Sequence, residues 1–134
     1  MRKVIFVALL AVVSDSVMAE WVQVGSNTAF TSYTDPSSIR REGIKTMEGS
    51  KAKMVSLMDY TTVITRAGKT YASIIAQHEF DCRQEQVRML YSSIYSGHMG
   101  TGAVVEGKFL PENWRSVPTR SIEEVLWKVA CGKI

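Results

Sequence analysis

The chain has two cysteines, Cys82 and Cys131, and their positions restrict its fold more than any other feature. Cys82 ends the most regular alternating run. Between residues 71 and 82 the even positions Ala72, Ile74, Ala76, His78, Phe80 and Cys82 are mostly apolar, while the odd ones include Ser73, Gln77, Glu79 and Asp81. Side chains on a strand alternate between its faces, so this run predicts a strand with one buried face carrying Cys82. Cys131 ends a helical pattern. Ser121-Ile122-Glu123-Glu124 is a capping box, in which Ser121 and Glu124 satisfy each other's free amides. Behind it, Ile122, Val125, Leu126, Val129 and Ala130 fall on one face of a helix. Cys131 lies about half a turn from Ile122. A bridge to an inward-facing Cys82 therefore requires the chain to leave helical geometry there, which Gly132 permits through a left-handed stop. The bridge would close a loop of roughly 50 residues and stabilise the fold by roughly 4 kcal/mol on the chain-entropy model.

Two thiols pair in this way when the chain matures in an oxidising compartment. The opening residues provide for that. Arg2-Lys3, an apolar run over residues 4–13, the more polar Ser14-Asp15-Ser16 and the ending Val17-Met18-Ala19 follow the three regions of a secretory signal, so cleavage is expected after Ala19. The apolar run is about half as long as a membrane-spanning helix, so no membrane span is expected in the mature form. The first mature residue would be Glu20, whereas a lipid anchor would need a cysteine there. Both cysteines fall in the exported part. Their spacing has no C-x-x-C character, which argues against a redox pair or a zinc knuckle.

Residues 20–134 are the right length for one domain. Removing Arg2, Lys3 and Asp15 from 16 basic and 13 acidic side chains leaves 14 against 12, a net charge of +2. No basic stripe stands out beyond Arg40-Arg41 and the spaced Lys51 and Lys53, so nucleic acid is not an expected partner.

The apolar residues of this domain mostly alternate, which predicts a chain that is mostly β. Residues 21–24 read as a first strand, Gly25-Ser26-Asn27 as a turn and 28–34 as a second strand. Asp35-Pro36-Ser37-Ser38-Ile39 reads as a short helix, with Asp35 as cap, Pro36 at the first helical position and Gly43 as stop. A strand over 44–47 turns at Glu48-Gly49-Ser50 into another over 51–60, and residues 61–70 read as a hairpin loop around Ala67-Gly68-Lys69. After the run at 71–82 come a strand over 87–95, a turn marked by Gly97, Gly100 and Gly102, a short strand over 103–105, and an extended Trp114-Arg115-Ser116-Val117-Pro118.

Several segments together resemble the surface-adhesin protein E-like family, small exported proteins of Gram-negative bacteria. They are Trp21, Tyr33-Thr34-Asp35-Pro36 with Ser38-Ile39-Arg40, Met54-Val55-Ser56-Leu57-Met58-Asp59-Tyr60 and Tyr71-Ala72-Ser73. Asp81-Cys82, Arg88, Tyr95-Ser96-Gly97, Met99-Gly100, Trp114, Val117-Pro118 and Ala130-Cys131-Gly132 complete the set. The resemblance implies an α+β fold: a curved antiparallel sheet of about six strands, with the C-terminal helix docked on it by the Cys82–Cys131 disulfide. It also implies binding of a protein partner, such as a host matrix protein or an envelope component. The missing lipid-attachment cysteine departs from the name-giving type and points to the periplasm rather than the cell surface.

The residues themselves offer little catalytic chemistry. Nucleophilic catalysis needs an activated Ser, Cys or Thr beside a base, and the only histidines, His78 and His98, lie in no recognisable catalytic setting. There is no G-x-S-x-G elbow, and residues 97–102 lack the Gly-Lys-Ser/Thr ending of a phosphate loop. His78 reads as a hydrogen-bonded core residue. Met47, Met54, Met58, Met89 and Met99 raise the thought of a copper(I) carrier, but strand alternation explains at least three of them as core filling, and neither a metal nor another cofactor is expected. Arg88, mid-strand, is expected to pair with a carboxylate such as Asp81 or Asp59, with partner contact as the second reading. Trp127 lies about 140° round the helix from Ile122, off the stripe, and is the candidate for an exposed partner contact. Trp114 is expected to pack on the sheet.

The expectation is a secreted, non-enzymatic envelope binding module, with a homodimer through a sheet edge or face as one form. The alternative is a periplasmic carrier of a small ligand or metal in the concavity of the sheet.

Overall fold

The computed structural model describes residues 20–42, 50–109 and 111–133. The strands are β1 (Val22–Ser26), β2 (Phe30–Glu42), β3 (Lys51–Arg66), β4 (Lys69–Asp81), β5 (Gln86–Tyr95), β6 (Val104–Lys108) and β7 (Arg115–Ser116), and the helix is α1 (Ile122–Cys131). Each strand from β1 to β6 pairs antiparallel with the next in chain order, and β7 pairs with the start of β5. The sheet is open, with β1 and β6 at its two ends. The signal expected over 1–19 and the strand expected over 44–47 lie outside the described residues.

Two local expectations are corrected. Residues 35–39 are not a helix but an irregularity inside β2, where Asp35 pairs with Val55 and the next partners are Arg40 and Lys53. The residue types that cap helices also close turns, because a side-chain oxygen serves either geometry. Here the Asp35 carboxylate accepts from the backbone amide and hydroxyl of Ser37, at 3.0 and 2.7 Å. The Ser38 hydroxyl takes the amide of Val55 at 2.8 Å, and Pro36, which has no amide to offer, sits where the ladder is interrupted. Likewise residues 61–70 are not a long loop. β3 runs on to Arg66 and β4 starts at Lys69, with only Ala67 and Gly68 between them, both at positive φ, as in the primed turns that suit a strand's twist.

The Cys82–Cys131 disulfide is present, and it settles how the helix lies. Cys131 remains inside α1, so the chain does not leave helical geometry to reach Cys82. The helix has instead rolled by roughly a quarter turn relative to its apolar stripe. Its buried residues are Leu126, Trp127 and Ala130, with Val125 and Val129 only half-buried. Trp127 is therefore not an exposed contact. It is 6% exposed, in one core with Met54, Phe80 and Val87, and its indole N–H donates to the carbonyl of Asp81 at 2.9 Å. Gly132 provides the left-handed stop, and the Arg41 guanidinium donates to the Ala130 carbonyl at 2.9 Å, covering an open carbonyl at the negative end of the helix. At the other end the Ser121 hydroxyl accepts from the Glu124 amide as expected, but the Glu124 carboxylate accepts from the amide of Arg120 rather than Ser121.

Candidate binding site

Side chains on the helix-bearing face form rows across the sheet. The row of Ala52, Phe80 and Val87 is covered by α1. Met54, His78 and Met89 form the next row, Thr34, Ser56, Ala76 and Ser92 the one after, and Ser32, Met58, Ile74 and Ile94 the one beyond. The helix is only ten residues long, and its buried contacts gather at its C-terminal half. The farther rows are left open as the floor of a cavity of about 720 Å³, in the range that holds small ligands or a partner's side chains.

Phe30 and Tyr60, stacked edge to face with centroids 6.0 Å apart, form one wall. The start of α1 forms the other, with Ile122 packed so closely on β1 that a side chain at Gly25 would approach it to 3.2 Å. Charge is confined to the mouth. Arg115 and Glu123 form a two-pronged ion pair there, one contact being 2.7 Å. The hydrogen bond to Glu123 is the main reason the Arg115 pKa is raised. The floor carries polar groups without a hydrogen-bond partner among the described residues. Ser32 is 3% and Ser56 8% exposed, and neither hydroxyl, nor that of Ser92, has a hydrogen-bond partner among the described residues. His78 is the same: its expected hydrogen bond is not found, and its ring contacts Phe80 instead, at 6.0 Å between centroids. Burial lowers its pKa below the ordinary 6.5, with Arg115 adding to the effect and Glu123 and Glu112 opposing it.

The other face of the sheet carries the remaining candidates. Arg88 forms an ion pair at 2.8 Å, but with Glu79, directly opposite in register, rather than with Asp81 or Asp59. Asp81 instead accepts from the amides of Arg83 and Gln84, and Asp59 from the Met99 amide and the His98 ring, at 2.8 and 3.1 Å. Trp114 packs on the Arg88 guanidinium, 4.8 Å from its ring centroid. Asp59 and His98 resemble part of a catalytic dyad, but the hydroxyl of the serine packed under the same turn, Ser73, is fully buried. It donates to the Gly97 carbonyl and accepts from the Gly100 amide, so this cluster fixes the 97–100 turn on the sheet. Among the described residues no three His, Cys, Asp or Glu side chains gather as a metal site, and no helix is long and apolar enough to cross a membrane.

Sequence reasoning did not single out the floor serines. Their one signal is position: Ser56 stands between Met54 and Met58 on the apolar face of its strand, where a hydroxyl has no role in packing.

The family model described as surface-adhesin protein E matches residues 21–132. The chain belongs to the surface-adhesin protein E family. Family membership makes it an adhesin-like protein, exported or exposed at the surface. Solved structures of Haemophilus influenzae protein E share the fold. Crystal form II aligns with a TM-score of 0.64 at 12% identity, over 87% of this chain and 91% of that one. A second structure of that protein aligns at 0.63 and 12%, over 87% of each chain. Protein E from non-typeable Haemophilus influenzae aligns at 0.59 and 13%, over 89% of this chain and 80% of that one. No curated protein matches this chain at a significant level.

Proposed function

We propose that this adhesin E-family protein is an exported, non-catalytic binding module of the cell envelope, and that it seats part of a protein partner in the open half of its helix-bearing face. The cavity carries this reading. Its floor is apolar, yet it presents unpaired hydroxyls from three strands, and its mouth holds an ion pair that can exchange partners. That combination suits an apolar anchor residue followed by a polar backbone, the pattern in which interface energy concentrates. Among the described residues neither histidine activates a nucleophile, which supports the non-catalytic part. A second reading, a carrier of a small ligand in the same cavity, is favoured by the depth at which Ser32 and Ser56 lie.

The test compares the mature protein with a Ser92→Arg variant, which fills the floor without touching the helix-covered core. Both are immobilised and exposed to purified host matrix proteins and to solubilised envelope proteins, and the wild-type protein is also sprayed intact for native mass spectrometry. The proposal expects a protein ligand retained by the wild type and lost by the variant. Retention by both refutes the cavity as the site, and a small molecule carried through purification favours the carrier.

A further inference from the structure

The row beside the helix-covered one combines side chains of a single chemical kind. Met54 on β3 lies directly opposite His78 on β4, and His78 directly opposite Met89 on β5, so two thioethers flank one imidazole on the same face of three adjacent strands. Residues opposed in this way have their Cβ atoms about 5 Å apart, within reach of a shared ion for side chains of this length. The ladder is also irregular here. Gln77 pairs with Tyr91 and His78 with Met89, leaving Leu90 as an extra residue, and bulges of this kind re-aim the side chains beside them.

We propose that Met54, His78 and Met89 form a site for one soft monovalent metal ion, copper(I), at the inner end of the cavity. The donor set carries the choice of metal. Thioether sulfur and imidazole nitrogen select copper(I), whereas calcium and magnesium require oxygen donors that this row lacks. The imidazole is available, with no hydrogen-bond partner among the described residues. Access is one-sided. Met89 and His78 line the cavity, while Met54, opposite His78, is buried in the core beneath α1, so an ion would enter from the cavity and meet Met54 last. No ligand carries a formal charge, so a monovalent ion costs less to desolvate here than a divalent one. The site is separate from the partner reading above and stands or falls without it. The three strands hold the donors in place, so binding requires no folding step, and the apo protein remains folded.

The experiment titrates the mature, disulfide-bonded protein anaerobically with copper(I) against a chromogenic chelator, and repeats it with silver(I) as a redox-inert probe. The proposal expects one ion per chain and X-ray absorption scattering from both sulfur and nitrogen. Met54→Leu and Met89→Leu nearly conserve volume and keep the fold, and each should weaken binding by about 10–100-fold, as should His78→Gln. Melting temperatures without metal verify that the variants fold. Affinity unchanged in all three variants would assign any binding to other methionines and overturn the proposal, as would the absence of a stoichiometric complex.

Discussion

Replacing Cys131 by Ser tests how the helix is held. The bridge joins residues 49 apart in sequence, and closing a loop of that size lowers the entropy of the unfolded chain by an amount worth roughly 4 kcal/mol. For a domain of this length each kcal/mol moves the melting temperature by about 4 °C, so the variant should melt roughly 15 °C lower. The loss should also be uneven. With the bridge gone, α1 is held near its C-terminal half by Leu126, Trp127 and Ala130, by the indole bond to Asp81 and by Arg41, and at its start only by Ile122 on β1 and the exposed Arg115–Glu123 pair. A helix of ten residues does not persist alone in water, so it detaches as a unit. β4, paired along both sides by β3 and β5, keeps its ladder. Hydrogen exchange followed by mass spectrometry should therefore show residues 122–130 exchanging faster in the variant, well before residues 72–81. Equal helix protection in both proteins, or a melting shift of only a few degrees, would refute the idea that the bridge docks the helix.

Arg88→Met should destabilise by about 2 kcal/mol, because it strands the Glu79 carboxylate, 6% exposed; the figure is below the 3–5 kcal/mol of a fully buried pair because Arg88 is partly exposed. Adding Glu79→Gln should recover most of that loss, and urea midpoints of the single and double variants measure it. For His78 the sign follows from burial: the folded-state pKa lies below the unfolded 6.5, so on acidification the unfolded chain takes up the proton first. Stability should be flat above about pH 6.5 and fall as the pH drops through that value toward the folded pKa; His78→Gln should remove this part of the slope, and identical pH profiles would count against it. Intact mass of the exported protein should place its first residue at Glu20, and a mature chain that keeps Met1 would contradict processing after Ala19.

The parts of the fold legible from residues are those with local causes. The run ending at Cys82 reads as β4 because alternation is a property of a single strand, and α1 reads as a helix because its cap and period are contained in one segment. Residues 35–39 read as a helix start because Asp35, Pro36 and Ser38 carry the same signals there as in a turn, and only pairing with β3 decides between them. The burial of Trp127 escapes the sequence for a related reason. The apolar stripe fixes a helix's orientation only when nothing else constrains it, and here the bridge at Cys131 rolls the helix toward the indole. A concavity is implied only by the resemblance, and neither the place nor the lining of the cavity is legible in the residues. It exists because α1 leaves the Ser56 and Met58 rows uncovered on β3 to β5, and how much of a sheet a helix leaves bare depends on where the two dock.

The central claim is that the open half of the helix-bearing face receives the partner, and the most direct test is to ask that face what it touches. A photo-crosslinking residue placed at Ile94 on the cavity floor, and in a second strain at Tyr91 on the opposite face, would be activated in intact cells in the presence of host matrix proteins. The account predicts a discrete protein adduct from position 94 and none from position 91. An adduct from position 91 alone would contradict it and move the binding surface to the face of Arg88 and Trp114.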